Sequence, residues 1–301
     1  MSRQFYKNYI EKIASGEIDH YNDAEKQLLA MRKRMTSRKD RKAEEALMKA
    51  PTMSDEEYSN FIKNVKSKKD YFKDVNINGV KASMNDPFST GFAADARSIM
   101  GKKTQDDTNT VIKNLTTRYP NFESLKGFEE NKANIAAPRN KHILLHELGH
   151  VVDNTENRNE INAGQDRVSR RNKGMLAVNA MTPLAAGAAA ATLPTGAALP
   201  VALGASAVGA IGNGVMARRN GKFIEDREDN ANNFVKSYLT DELGNRQSAI
   251  NNFNASPLAS ARKTYSANTR NKMLMAGGVT GAMGVAGAMY GMGMRGMNNR
   301  R

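Results

Sequence analysis

The chain has 301 residues, a length that accommodates one or two domains, and its 40 % content of hydrophobic residues is ordinary for a globular protein. It contains no cysteine, which excludes disulfide bonds and thiolate metal sites, so any metal ion must be held by His, Asp or Glu. The formal net charge of +14 favours anionic neighbours, either phospholipid or nucleic acid, and residues 1–19 lack the apolar core of a secretory signal.

Residues 1–75 are rich in charge and are predicted to form a helical N-terminal region. Pro51 interrupts this region, and Ser54 with Glu57 forms a capping box, in which each side chain satisfies a free amide at the start of a new helix. The basic run at residues 31–42 either binds phosphates or forms a solvated helix face, and the acidic residues near it favour the solvated face.

Residues 76–173 are predicted to form the core of the fold. Residues 74–80 alternate and contain Asn78-Gly79, a pattern typical of a short hairpin. Residues 107–119 are predicted to form a helix, and residues 133–137 form a short, mostly apolar run just before the helix that follows.

The helix predicted at residues 140–152 carries His146, Glu147 and His150 in the H-E-x-x-H pattern of zinc peptidases. Residues four apart lie on one helix face, about 6 Å apart along the axis at roughly 1.5 Å per residue, so both imidazoles can bind one Zn²⁺. Glu147 is placed to accept a proton from a water rather than to bind the metal. Gly149 is unfavourable in a helix, which indicates that another segment passes close to its backbone.

Two residues beside this motif have alternative interpretations. His142 lies one turn earlier, too far from His150 to share a single ion, and it either supports the site from outside or lies at the surface. Asp153 either accepts a hydrogen bond from a metal-binding imidazole or ends the helix with an Asx turn. The sequence favours neither interpretation of Asp153.

The composition changes at residues 174–217, which carry no charge and lie between two basic clusters. Pro194, Gly196 and Pro200 divide this segment into two apolar pieces of roughly 20 residues, the length that spans a bilayer. We expect a helical hairpin that enters a membrane, with both basic ends on the cytoplasmic side. Because alanine and glycine are only weakly apolar, a buried or self-associating pair of soluble helices is the alternative.

A catalytic zinc ion needs a third protein ligand, and because no histidine follows His150 in the chain, a ligand from that side must be a carboxylate. The best candidate is Glu228, near the start of a predicted helix that has one apolar face. Glu225 is the first alternative. Glu156 and Glu160 are further alternatives that follow the metal helix more closely in the chain.

The tail at residues 261–301 is basic, carries no acidic residue, and contains a second apolar segment at 273–294. Glycines recur in that segment at steps of three and four residues, a stripe suited to close helix–helix contact and to a homo-oligomer. The basic charge fits an anionic membrane surface and equally fits packaged nucleic acid.

The helix after residue 227 follows the pattern E-x-x-A-[ND]-x-F, and the matching residues are Glu228, Ala231, Asn232 and Phe234. Together with the H-E-x-x-H motif, this pattern resembles the gluzincin zinc metallopeptidases. The membrane-embedded heat-shock and CAAX-processing peptidases are similar in placing hydrophobic segments between the two motifs, as residues 174–217 are placed here. The likeness covers residues 142–239.

This resemblance implies a mainly α fold: an α+β zincin-like core with a small sheet beside the metal helix, an inserted Ala/Gly-rich helical hairpin and a C-terminal hydrophobic helix. It implies a membrane-associated zinc peptidase in which His146, His150 and Glu228 bind Zn²⁺. Glu147 then acts as the general base on the water that Zn²⁺ activates.

In peptidases of this kind a strand beside the metal helix lines the cleft and pairs with an extended protein or peptide substrate. Residues 133–137 are the candidate for that strand. Tyr238 and His142 are candidates for stabilising the oxyanion, and the resemblance does not distinguish between them.

Two other functions remain open. The glycine stripes, the Ala/Gly hairpin and the basic tail also fit a structural protein, such as a phage virion component that acts at a membrane, with an auxiliary or vestigial metal fold. A soluble repressor-cleaving peptidase would share both motifs without a membrane segment. For all three functions the sequence predicts the same five regions, which are residues 1–75, 76–173, 174–217, 218–260 and 261–301.

Overall fold

The computed structural model describes residues 21–35, 38–94, 105–192 and 195–261. Within these ranges the chain is mainly helical and contains one small three-stranded sheet, as the sequence predicts. The helices are α1 Asp23–Met35, α2 Arg38–Met48, α3 Asp55–Lys68, α4 Gln105–Arg118, α5 Lys141–Glu156, α6 Arg158–Thr192, α7 Thr195–Leu243 and α8 Arg246–Asn254. The described residues divide into two compact units, one within Met1–Arg158 and Asn230–Thr264 and the other within Asn159–Asp229, so the boundary falls inside α7.

The sheet of the first unit consists of β1 Val75–Val80, β2 Phe92–Ala94 and β3 Ala133–Pro138, in the order β1-β3-β2. β3 runs parallel to β1 and antiparallel to β2, and almost all of its residues are buried. The strand predicted at 133–137 is therefore confirmed. Because β1 and β2 occupy both edges of β3, the prediction that this strand pairs with an extended substrate is wrong.

The hairpin predicted at residues 74–80 is also wrong, because Val75–Val80 forms one continuous strand. Gly79 permits close packing rather than a turn: a Cβ at this position would lie 2.7 Å from a ring carbon of Tyr58. The Tyr58 hydroxyl donates to the Ile77 carbonyl oxygen at 2.9 Å and accepts from the Gly79 N–H at 2.9 Å. These two bonds satisfy backbone groups on the outer edge of β1.

The helices predicted before residue 120 are present where the structure describes the chain. α1, α2 and α3 lie in the charged N-terminal region, and α4 corresponds to the helix predicted at 107–119. The capping box of α3 is confirmed, since Ser54 Oγ accepts from the Glu57 N–H at 3.2 Å and the Glu57 carboxylate accepts from the Ser54 N–H at 2.8 Å. Hydrogen bonding of the Glu57 carboxylate to the backbone N–H and then the side chain of Ser54 holds the pKa of Glu57 below its usual value.

Helix α5 lies in the core of the first unit and is buried along most of its length. The core joins side chains from α3, the strands, α5, the end of α7 and α8, among them Val65, Ile135, Leu144, Leu148, Val235 and Phe253. Each such aliphatic or aromatic side chain contributes about 1.5–3 kcal/mol when it is fully removed from water. The helix with the H-E-x-x-H motif is therefore held rigidly by its surroundings.

In the second unit, α6 and α7 pack antiparallel. Gly164, early in α6, lies against Phe223, whereas Thr182, later in α6, lies against Gly209, which is earlier in α7. A Cβ at Gly209 would lie 2.4 Å from Thr182 Oγ1, and a Cβ at Gly164 would lie 2.2 Å from the ring of Phe223. Small residues therefore permit the two helices to approach closely at both points.

The segment predicted as a hairpin, residues 174–217, belongs to these two longer helices, whose other ends are charged. α6 ends close to the predicted break at Pro194, whereas Pro200 lies inside α7. Across the described ranges, no helix combines the length and the apolar character needed to cross a membrane. The second apolar segment, at 273–294, lies outside the described residues.

Candidate metal centre

Helix α5 places the two predicted histidine ligands on one face. Asn140 caps its start, because the side-chain oxygen accepts from the N–H groups of His142 at 3.1 Å and Ile143 at 3.3 Å. His146 and His150 lie one turn apart, with ring centroids separated by 4.7 Å and ring planes at 79°. The two imidazoles therefore border the same volume, as the four-residue spacing predicts.

Helix α7 brings Glu228 to the same place. Single ligand atoms of His146, His150 and Glu228 all lie within 4.8 Å of one another, with His146 buried and the other two partly exposed. Ligands at about 2.1 Å from a tetrahedral zinc ion are about 3.4 Å apart, so these atoms need to converge by at most about 1.4 Å. The three side chains form a group that could hold a metal ion.

A hydrogen bond fixes the orientation of His146. Its Nδ1 lies 3.1 Å from the side-chain oxygen of Asn232, which is 1 % exposed. Because an amide oxygen only accepts, the imidazole donates through Nδ1 and leaves Nε2 to bind a metal. Asn232 follows Glu228 by one turn on α7, so this helix supplies one ligand and orients another.

The end of α7 contacts α5 directly beside the histidines. A Cβ at Gly149 would lie 2.7 Å from the Cα and from the carbonyl oxygen of Ala231, so a glycine is required here. This confirms the prediction that another segment passes close to Gly149. One turn later the Asp153 carboxylate accepts from the side-chain amides of Asn157 at 2.8 Å and Asn230 at 2.9 Å, which links the two helices again.

The candidate general base, Glu147, follows His146 on α5. Its side chain is buried, with 8 % of the residue surface exposed. The backbone at Gly91, just before β2, lies against it: φ is +138°, and a Cβ there would be 2.6 Å from Glu147 Oε1. Any other residue would be strained in this conformation and would displace the carboxylate. Gly91 was not predicted from the sequence, although a glycine beside an apolar strand indicates a close backbone approach.

The alternative carboxylates lie outside the candidate group. Glu156 forms an ion pair with Lys69 at the surface and accepts from the Tyr71 hydroxyl at 3.1 Å. Hydrogen bonding to Lys69 lowers the pKa of Glu156. Glu225 and Glu160 are likewise not members of the group that the structure brings together.

The two candidates for stabilising an oxyanion have other partners. Tyr238 follows Glu228 on α7 by about 15 Å along the axis, at roughly 1.5 Å per residue, and Lys68 Nζ lies 4.4 Å from its ring centroid. Burial raises the pKa of Tyr238. His142 Nε2 lies 2.7 Å from Asn252 Oδ1 on α8, and burial lowers the pKa of His142. This separation from Glu228 does not favour Tyr238 as the group that stabilises an oxyanion, and the role of His142 stays a prediction.

Comparison with protein-family models, curated proteins and solved structures finds no match for the chain. A functional assignment therefore depends on the chemistry of the residues themselves. Those residues are two imidazoles and one carboxylate that could hold a metal ion, with a buried carboxylate on the helix that carries both imidazoles.

Proposed function

We propose that the protein is a zinc-dependent peptidase that hydrolyses peptide bonds of a protein or peptide substrate. The observation that supports the proposal most strongly is the convergence of His146, His150 and Glu228, whose ligand atoms lie within 4.8 Å of one another. Two imidazoles and one carboxylate are a ligand set of catalytic zinc sites, in which the fourth position stays open. The absence of cysteine from the sequence agrees with this ligand set.

A bound zinc ion would polarise the scissile carbonyl and lower the pKa of a water to about 7. Glu147 accepts a proton from the attacking water, whose oxygen then bonds to the carbonyl carbon. As the C–N bond breaks, Glu147 delivers the proton to the leaving amine. Asn232 supports the reaction by holding His146 in the tautomer whose Nε2 carries no proton.

The substrate approaches the site along β2 in this proposal. Gly91, just before β2, lies against Glu147, whereas β3 is the central strand and has a strand on each side. The absence of a Cβ at Gly91 leaves room for the Glu147 carboxylate to lie against the backbone that leads into β2.

The test compares Glu147→Gln with Glu156→Gln, a matched change on the exposed end of the same helix. Zinc-loaded protein is assayed against a broad peptide library and an unfolded protein such as casein. The proposal predicts that Glu147→Gln lowers kcat/KM by about 10²-fold or more and leaves the zinc content unchanged, since a general base contributes on that scale. Glu156→Gln should retain wild-type activity.

Two results would refute the proposal: a zinc-loaded wild type that cleaves none of these substrates, or a Glu147→Gln variant as active as Glu156→Gln. The first would favour the alternative hypothesis of a structural virion protein with a vestigial metal fold. A soluble repressor-cleaving peptidase predicts the same dependence on Glu147 but a narrow substrate range.

A further inference from the structure

The second unit contains a basic cavity that the proposed peptidase chemistry does not use. Its volume is about 310 Å³, and its charged lining consists of Arg167 and Arg171 from α6 with Arg219, Lys222 and Asp226 from α7. The two arginines of α6 are four residues apart, and Arg219 and Lys222 are three apart, so each pair projects from one face of its helix. The antiparallel packing of the helices brings the two pairs to one cavity.

The charge of this cavity is unbalanced. Four cations meet one carboxylate, and within the described ranges Arg167, Arg219 and Lys222 form no ion pair. Arg171 makes one long contact, 3.4 Å from Nη1 to Asn220 Oδ1. An anion that entered would relieve the repulsion among the cations and accept charge-assisted hydrogen bonds, which arginine donates in pairs to phosphate oxygens.

Two lining residues of the cavity, Gly164 and Phe223, mark a close approach of the two helices. A Cβ at Gly164 would lie 2.2 Å from Cε2 of Phe223 and 2.8 Å from two further ring carbons. Glycine therefore lets the phenyl ring lie against α6 at one side of the basic group. The lining of the cavity thus combines an aromatic ring with charged side chains.

An exposed apolar stripe continues from the cavity along α7. Val208, Ile211 and Val215 precede Arg219 and Lys222 at steps of three and four residues, so all five lie on one helix face. The three apolar side chains are 72 %, 67 % and 46 % exposed. One face thus changes from apolar to basic over about 20 Å, at roughly 1.5 Å per residue. This polarity matches the change from acyl chains to phosphates at a bilayer surface.

We propose that this cavity binds the phosphate of an anionic phospholipid headgroup, while Val208, Ile211 and Val215 contact the acyl region beside it. The site would hold the second unit at a membrane surface through lipid contacts. It is independent of the metal group, because none of its residues is a candidate ligand.

The test uses the full-length chain and vesicles of phosphatidylglycerol mixed with phosphatidylcholine, with pure phosphatidylcholine vesicles as reference. Arg171→Ala/Arg219→Ala removes two cavity cations. Arg170→Ala/Arg218→Ala is the matched control, because it removes the same charge from adjacent exposed positions that do not line the cavity. Circular dichroism and thermal unfolding establish that both variants are folded. A separate titration with inorganic phosphate measures binding of the free anion.

The proposal predicts that the cavity variant binds phosphatidylglycerol vesicles about tenfold more weakly than the control variant, the effect of losing charge-assisted hydrogen bonds in addition to surface charge. Equal binding by the two variants, or no preference of the wild type for phosphatidylglycerol, would overturn it. A third result would also overturn the lipid assignment: the two variants bind vesicles equally, but only the cavity variant loses saturable binding of inorganic phosphate. That result would identify a site for free phosphate.

Discussion

Replacing Gly149 with alanine is expected to separate the two helices that carry the candidate metal ligands. The added Cβ would lie 2.7 Å from the Cα and from the carbonyl oxygen of Ala231, whereas carbon atoms in contact are about 3.5–4.0 Å apart. Both neighbouring atoms belong to the backbone, so rotation of a side chain cannot relieve the overlap. α5 and α7 must therefore separate by about 1 Å at this contact.

Two opposing effects determine the stability of this variant. Alanine favours the helix by about 1 kcal/mol relative to glycine, and overpacking a buried position costs about 1–3 kcal/mol. The free energy of unfolding should therefore fall by about 0–2 kcal/mol. Metal–ligand distances must lie within about 0.2 Å of their usual values, so a shift of Glu228 away from His150 adds to the convergence that zinc binding requires and should weaken binding by about tenfold or more.

Gly214→Ala on α7 is the matched control, because a Cβ there meets no atom within 4 Å. Competition with a chromophoric chelator measures zinc affinity, and urea unfolding of the metal-free protein measures stability. The control should gain stability by about 1 kcal/mol and bind zinc as the wild type does. If Gly149→Ala gains the same stability and keeps wild-type zinc affinity, the close contact between α5 and α7 is refuted.

Three further substitutions test the surroundings of the site. Asn140→Ala removes the cap of α5 and the hydrogen bond that the Asn140 side-chain amide donates to the Pro51 carbonyl oxygen at 2.8 Å. Urea unfolding should show that the free energy of unfolding falls by about 1–2 kcal/mol. An unchanged free energy of unfolding would contradict the cap. Asn232→Ala leaves Nδ1 of His146 without its acceptor, so chelator competition should show zinc affinity reduced about 10- to 100-fold, and an unaltered affinity would refute the orienting role. Burial lowers the pKa of His142 below 6.5 in the folded chain. Between the folded and the unfolded pKa of His142, the unfolded chain therefore binds more protons than the folded chain. As the pH falls through that interval, the free energy of unfolding decreases by at most about 1.4 kcal/mol per pH unit. His142→Gln should remove this contribution from the unfolding free energy of the metal-free protein, and identical pH profiles for variant and wild type would contradict it.

The parts of the site that were predictable are those that depend on local spacing. His146 and His150 face one volume because four residues nearly complete a helical turn. Glu228 was predicted from a short pattern that also contains Asn232, and the structure brings both near the histidines. Gly149 was informative because a glycine inside a buried helix indicates close packing.

The parts that were not predictable depend on partners distant in the sequence. Asn78-Gly79 favours a turn locally, but Tyr58 and the pairing of β1 with β3 keep this segment extended. The central position of β3 follows from the pairing of β2, which periodicity does not reveal. A glycine before an apolar strand indicates a close backbone approach, but the sequence does not show that the partner of Gly91 is Glu147.

Zinc stoichiometry tests the central claim most directly. Elemental analysis of the purified wild type should give about one zinc per chain. The metal should be lost or greatly reduced in His146→Ala and Glu228→Gln, and it should be retained in Glu225→Gln, the control for the neighbouring carboxylate. A wild type without zinc, or a Glu228→Gln variant with as much zinc as Glu225→Gln, would contradict the three-ligand site.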